Sequence, residues 1–204
     1  MKRFFDVTLA AASLFLLWPV MVVIATAARL DSSGPAFYRA SRAGLGGKPF
    51  FILKFRTMVI GADKLGGPST ASDDPRITRL GRLLRKYKLD EFPQLINVLK
   101  GDMSLVGPRP EVLSEVQTYS AEERELLTVR PGITDWASLR FRDEGRILEG
   151  SPDPHQAYRE KIRPEKIKLG LQYVHQHSFR TDLRILIETV RTVSGIGASG
   201  QIAE

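Results

Sequence analysis

From Val7 to Ala28 the chain carries no charged side chain, and Pro19 stands near the middle of that run. Lys2, Arg3 and Asp6 precede it and Arg29 follows it. About 20 apolar residues are what a helix needs to cross the hydrocarbon core of a bilayer. The first thirty residues therefore tie the rest of the fold to a membrane. A cleavable signal peptide also begins with basic residues, but its apolar region is shorter. Trp18-Pro19 fits such a leader poorly, and Ala25-Thr26-Ala27 is only a weak small-residue cleavage site. The proline decides how the segment stays in the membrane. It removes one backbone hydrogen bond and crowds the preceding turn, so a helix broken at Pro19 can turn back. Basic residues flank both ends, and such flanks favour the cytoplasmic side. The reading is a re-entrant membrane helix over residues 1–30 rather than a straight span.

The whole chain has 204 residues and 43% apolar content, enough for one domain with a real core. The net charge of +7 and a pI near 9.8 select anionic partners: nucleic acid, anionic lipid or a phosphorylated substrate. No cysteine is present, which excludes disulfides and thiolate metal sites. His155, His175 and His177 are scattered and form no zinc motif.

Asp31-Ser32-Ser33-Gly34-Pro35 is a turn cluster that ends the membrane helix. Phe37-Tyr38-Arg39 and Phe50 to Phe55 read as short strands joined by the turn Gly44-Leu45-Gly46-Gly47. Residues 61–74 form a polar loop around Gly66-Gly67-Pro68, either an active-site loop or an inert linker. Arg76 to Lys88 predicts a basic amphipathic helix, with Arg79, Arg82 and Lys86 on one face and Leu80, Leu83, Leu84 and Tyr87 on the other. Such a helix suits a membrane surface. A second amphipathic segment, Arg180 to Arg191, can dock on the core or on the bilayer. The organisation expected is a membrane helix (1–30), a body (31–193) and a flexible, glycine-rich tail (194–204).

The chemistry is concentrated between Leu89 and Glu111. Asp90 and Glu91 lie just before Pro93, which suits the first turn of a helix. Acids at that end are favoured by the helix dipole. An aspartate there can attack phosphorus, hold a hard divalent cation, or simply cap the helix. Arg109 follows, stiffened between Pro108 and Pro110.

These motifs resemble the monotopic phosphoglycosyl transferases, bacterial sugar transferases that load a phospho-sugar onto a polyprenol phosphate. The resemblance runs from Lys2-Arg3-Phe4-Phe5-Asp6 to about Val193. It rests on Gly34-Pro35-Ala36-Phe37-Tyr38, Lys54-Phe55-Arg56-Thr57-Met58, Asp74-Pro75-Arg76-Ile77-Thr78, and Leu89-Asp90-Glu91 with Pro93-Gln94-Leu95. Asn97 to Ser104, Gly107-Pro108-Arg109-Pro110 and Arg130-Pro131-Gly132-Ile133-Thr134 complete it. Without a large multi-span N-terminal domain, the chain resembles the short, minimal form. Two positions depart from the family pattern. Trp18 stands where serine often precedes the proline, and Asp135 stands where glycine commonly precedes the tryptophan. Asp135 is then either sugar-facing or a turn residue.

The resemblance implies a mostly helical α/β fold: a re-entrant helix, interfacial amphipathic helices and a small strand-containing catalytic domain. It implies a monotopic protein of the bacterial inner membrane with the catalytic domain on the cytoplasmic face. It also implies transfer of a sugar 1-phosphate from a UDP-sugar to undecaprenyl phosphate through a covalent aspartyl phospho-sugar, with release of UMP and with Mg²⁺. Asp90 is then the nucleophile, Glu91 the neighbouring acid/base or metal-side carboxylate, and Arg109 the phosphate clamp. Lys54, Arg56, Arg76 and Arg85 are further candidates for the phosphate pocket. A non-catalytic adaptor binding anionic lipid is the alternative: it explains the charge and the apolar run but not the Asp-Glu pair. Nucleic acid is not expected as a partner, because the basic residues lack interleaved exposed aromatics. A homodimer is left open.

Overall fold

Helix α1 (Lys2–Asp31) is continuous through Pro19, and at about 1.5 Å per residue its contour is about 45 Å. The computed structural model describes residues 1–194. An 18-residue stretch of α1 has a mean hydropathy of 2.4, yet only 11% of it is buried. The protein itself leaves this apolar surface uncovered: Phe15, Leu16, Trp18, Val22 and Val23 are all exposed.

Both ends of α1 are nevertheless fastened to the same body. At the start, Lys2 Nζ donates to Asp182 Oδ2 (2.6 Å), Val106 O (3.1 Å) and Tyr173 Oη (3.3 Å). Arg3 donates to Val98 O at 2.7 Å, and the buried Asp6 accepts from Ser104 Oγ at 2.8 Å. At the far end the buried Arg56 donates to Ala28 O (2.8 Å), Ser32 O (2.6 Å) and Ser33 O (3.0 Å). The terminal carbonyls of a helix have no partner within it. A guanidinium is a strong way to satisfy them, because its charge also suits the negative end of the helix dipole.

The remaining elements build a small body against this helix. Strands β1 (Phe37–Ala43) and β2 (Pro49–Phe55) form an antiparallel hairpin in which Phe37 faces Phe55 and Ala43 faces Pro49. Its turn is the expected glycine-rich segment. After the short α2 (Ala62–Leu65) come α3 (Arg79–Lys86), α4 (Gln94–Lys100) and strand β3 (Ser104–Val106). Helix α5 (Leu113–Gln117) precedes β4 (Gly132–Thr134), which pairs in parallel with β3. The chain ends in helices: α6 (Trp136–Arg140), α7 (Glu144–Ile147), α8 (Pro154–Lys161), α9 (Arg163–Gln176) and α10 (Phe179–Val193). The fold is the expected mostly helical α/β type with few strands. The expected tail, beyond Ser194, lies outside the described residues.

Two apolar clusters fix α1 on the body. Ala10 packs with Ile52, Leu95, Val98, Met103 and Ile185, which joins α1 to β2, α4 and α10. Ile24 packs with Phe55 and Leu84, with Leu80, Leu89 and Phe92 around them. The basic helix is shorter than its sequence suggests. Ile77 forms an isolated bridge with Met58, and Thr78 caps α3 by accepting from Gly81 N at 2.9 Å. Of its apolar face, Leu84 is buried while Leu83 and Tyr87 are exposed. Helix α10 buries Asp182 and Ile185 against the body and leaves Phe179, Leu183, Ile187, Val190 and Val193 exposed.

Replacing Arg56 by methionine leaves Ala28 O in the last turn of α1, and the Ser32 and Ser33 carbonyls just beyond it, without their charged donor. A loss of about 3 kcal/mol is expected, within the range for hydrogen bonds to a charged group. It is read as a lower unfolding midpoint of the detergent-solubilised protein. An unchanged midpoint would show that apolar packing alone holds this end.

Candidate active site

Asp90 and Glu91 occupy a 3-10 turn (Leu89–Glu91) whose entry is set by Lys88, at φ 57° and ψ 20°. Among the described residues Lys88 is the one non-glycine with positive φ. Phe92 and Pro93 have right-handed helical angles, so the turn runs directly into α4. Leu89 and Phe92, flanking the two acids, pack onto the Ile24, Phe55 and Leu84 cluster. The end of the membrane helix is thus part of the floor under the dyad. Asn97, one turn into α4, clamps the neighbouring strand. Its Oδ1 accepts from Leu53 N at 2.9 Å and its Nδ2 donates to Phe51 O at 2.8 Å. That clamp holds Lys54 beside the dyad.

The two carboxylates have opposite surroundings. Glu91 Oε1 accepts from Lys54 Nζ at 3.0 Å, and both Glu91 oxygens accept from the Arg109 fork, Nη1 reaching Oε2 at 3.2 Å. Burial would raise the Glu91 carboxyl, but Arg109, Lys54 and Lys88 outweigh it and hold Glu91 well below the usual carboxylate range. Asp90 is 6% exposed, and its buried Oδ1 has no hydrogen-bond partner among the described residues. Burial pushes its carboxyl upward; Lys54 opposes this most, Glu91 adds to it, and Arg85 and Lys88 oppose it. Neither the 3-10 turn nor α4 has a side-chain cap, so Asp90 is not acting as an N-cap.

Arg109 is aimed by a close crossing of two loops. Gly107 N donates to Thr134 O at 3.1 Å and Gly132 N to Pro108 O at 3.0 Å. A Cβ on Gly132 would overlap the Gly107 backbone, and one on Gly107 would overlap Arg130 O. Only glycine permits that approach. Arg109 Nη1 also donates to Ile133 O at 3.3 Å, so three of the five guanidinium N–H groups are used, leaving Nε–H and one Nη2–H. The cavity behind it, lined by Pro108, Pro110, Glu111 and Tyr119, measures only about 20 Å³ and holds no more than a water-sized group.

The other expected phosphate ligands are separated by the structure. Lys54 lies at the dyad, bound to Glu91. Arg85 Nε donates to Thr57 Oγ1 at 3.0 Å, and the charges that act on it most are those of Asp90 and Asp74. Arg76 is committed to Asp74, at 2.7 Å, and to the carbonyl of Ala62 at 2.8 Å, where it organises the loop of residues 61–74. Arg56 belongs to the end of α1 rather than to the dyad. Asp135 is a turn residue: it caps α6, its Oδ1 accepting from Ser138 N at 2.7 Å. His155, His175 and His177 pair with Ser69, Glu125 and Val174 O. Reasoning from sequence missed Asn97 and Lys88. A lone amide inside Leu95-Ile96-Asn97-Val98-Leu99 was the available signal for the first.

Among the described residues no three His, Cys, Asp or Glu side chains gather as a metal cage. Magnesium does not require one: it takes one or two carboxylates, waters and substrate phosphate oxygens. The orphaned Asp90 Oδ1, next to a second carboxylate, fits that donor set.

The family model for bacterial sugar transferases matches residues 1–195. The UDP-glucose:undecaprenyl-phosphate glucose-1-phosphate transferase of Caulobacter vibrioides is 41% identical over 195 residues, 93% of this chain and 68% of that protein. The uncharacterized sugar transferase EpsL of Bacillus subtilis is 41% identical over 196 residues, 95% of this chain and 87% of that protein. The UDP-N-acetylgalactosamine-undecaprenyl-phosphate N-acetylgalactosaminephosphotransferase of Aeromonas hydrophila is 35% identical over 201 residues. That match covers 97% of this chain but 44% of the relative, so here the chain spans less than half of its length. With a dyad, an arginine loop and an apolar helix all inside the matched region, the chain belongs to the bacterial sugar transferase family.

Proposed function

We propose that this transferase moves a sugar 1-phosphate from a UDP-sugar to undecaprenyl phosphate through a covalent intermediate on Asp90. The observation that carries this reading is the unequal treatment of the two acids. Glu91 is neutralised by Arg109 and Lys54, whereas Asp90 Oδ1 is buried and has no partner. A carboxylate short of hydrogen bonds is a better nucleophile than one paired with two cations, and a covalent step divides a hard transfer into two easier ones. The relatives named for UDP-sugar and undecaprenyl phosphate supply the substrate classes.

In the first step an Asp90 carboxylate oxygen attacks the sugar-linked phosphorus. The P–O bond to the nucleotide breaks and UMP leaves with that electron pair. In the second step an oxygen of undecaprenyl phosphate attacks the same phosphorus. The aspartyl bond breaks, giving the polyprenyl diphosphate sugar and free Asp90. Charge on the diphosphate is met by the two uncommitted N–H groups of Arg109 and by Arg85, preorganised donors of the kind that lower such barriers. Asp90 and Glu91 would hold a magnesium ion, which when bound neutralises charge on the phosphate oxygens. The protein is membrane-associated through α1. Because both ends of α1 are fastened to one body although the helix continues through Pro19, we place α1 as a re-entrant helix that enters and leaves the membrane on one side, with that body on the cytoplasmic face of the inner membrane. A lipid-binding adaptor would account for the charge and α1, but would leave a buried, unpartnered aspartate without a purpose.

Three outcomes are expected. UMP release from a panel of UDP-sugars requires undecaprenyl phosphate for sustained turnover. It falls at least about 10³-fold in Asp90→Asn and on chelation of magnesium, while membrane extraction is unchanged; full activity in the variant refutes the covalent assignment. Arg109→Lys keeps the charge but loses the paired fork on Glu91, and a loss of at least about tenfold in kcat/KM is expected. An undiminished rate would move the phosphate clamp elsewhere. Cysteines introduced at Met1 and at Ser33 should react alike with an impermeant thiol reagent in spheroplasts and in inverted vesicles. Opposite accessibility would establish a straight span.

A further inference from the structure

Most cations around the dyad are already committed within the protein. Lys54 and Arg109 neutralise Glu91, Arg76 neutralises Asp74, and Arg56 caps α1. Arg85 spends its Nε on Thr57. Lys88 is different. It stands two residues before Asp90, and its half-buried ammonium makes no hydrogen bond or ion pair among the described residues. It is held among the charges of Glu91, Arg109, Asp90 and Lys54. Its backbone is left-handed, the one such non-glycine among the described residues. That conformation is uncommon for a side chain of this kind, and asparagine or glycine would occupy it with less strain. Strained conformations of this sort cluster at ligand clamps, where the surrounding structure holds them.

We propose that Lys88 is a substrate-phosphate ligand, placed by its left-handed turn so that its ammonium meets a phosphate beside Asp90. This rests on the transferase reaction proposed above. Two substrates bring phosphate to this site: the diphosphate of the nucleotide sugar and the monophosphate of the polyprenol. Lysine suits either, because its ammonium acts as a compact point charge that can follow a phosphate through the reaction. The committed cations keep Glu91 charged and in place; Lys88, like the outer nitrogens of Arg85, supplies positive charge that no protein acid claims.

The test is equilibrium binding of UDP and, separately, of undecaprenyl phosphate to the full-length protein in detergent, for wild type, Lys88→Asn and Lys88→Arg. Asparagine accepts the left-handed backbone without the charge, so the fold should be kept and the unfolding midpoint unchanged. The expected result is a Kd at least about tenfold weaker in Lys88→Asn for one of the two probes, with Lys88→Arg within about threefold of wild type. Weakened UDP binding assigns the ammonium to the donor diphosphate; weakened undecaprenyl phosphate binding assigns it to the acceptor. Unchanged affinity for both probes in Lys88→Asn overturns the proposal and leaves Lys88 a turn residue. Equal losses in both variants also overturn it, because charge would then not be what matters. Binding is read without turnover. A wild type that binds a probe but releases no UMP therefore counts against the proposed reaction, not against Lys88.

Discussion

Two neighbouring carboxylates cannot both be withdrawn from water and remain charged unless cations are brought to them, and here the fold brings its strongest pairs to only one. Glu91 receives the Arg109 fork and Lys54; Asp90 receives neither. Breaking a buried ion pair of this kind typically costs about 3–5 kcal/mol, since one partner is left buried and alone. The pairing therefore organises much of the body. It needs β2 to carry Lys54 alongside the dyad, and it needs the Gly107–Gly132 crossing to carry Arg109 in from the opposite side. Asn97 connects the first of these to the helix after the dyad. Asp90 owes its availability to the acid beside it, which has taken Arg109 and Lys54.

The membrane helix belongs to this arrangement and is more than an anchor appended to it. Ile24 lies in the same apolar cluster as Leu89 and Phe92, which flank the dyad. Arg56, the residue just after the end of β2, closes the end of the helix. A shift of α1 in the bilayer would be transmitted to the dyad turn through packed side chains, because interiors at crystal-like density do not yield gradually. For the proposed reaction between a nucleotide sugar and a lipid, this coupling would fix the height of Asp90 above the acyl region. A soluble domain on a flexible tether could not set that height.

Much of this was legible in the sequence, for identifiable reasons. The apolar run around Pro19, the strand patterns either side of Gly44-Leu45-Gly46-Gly47 and the placement of Pro93 all depend on local rules, and the corresponding elements formed. What could not be read locally was the partner of each arginine. Arg56, Arg76, Arg85 and Arg109 look alike in the chain. Yet one caps a helix, one orders a loop, one leans on a threonine and one holds Glu91. Their roles are set by contacts across 14 to 28 residues, as in Arg76 to Ala62 and Arg56 to Ala28. Helix α3 was overextended for a related reason. The non-local bridge between Met58 and Ile77 takes the residues that local periodicity assigned to its first turn.

The division of cations also bears on how one aspartate would serve two substrates in turn in the proposed reaction. There, a charge locked in a bidentate pair would stay where it is as the phosphorus moves from nucleotide to protein to lipid. Arg109 and Lys54 can therefore keep Glu91 ionised in every state without being rearranged, which is what preorganisation requires. Charge that must follow the phosphoryl group has to come from side chains not tied down, because remaking a buried ion pair at each step would raise the barrier. Arg85, with its outer nitrogens uncommitted, and Lys88, without a partner, are the residues beside the dyad that meet this condition. A site built this way separates a fixed electrostatic frame from a smaller mobile set. The fixed frame governs the ionisation of the dyad, and the mobile set governs which phosphate is held against it.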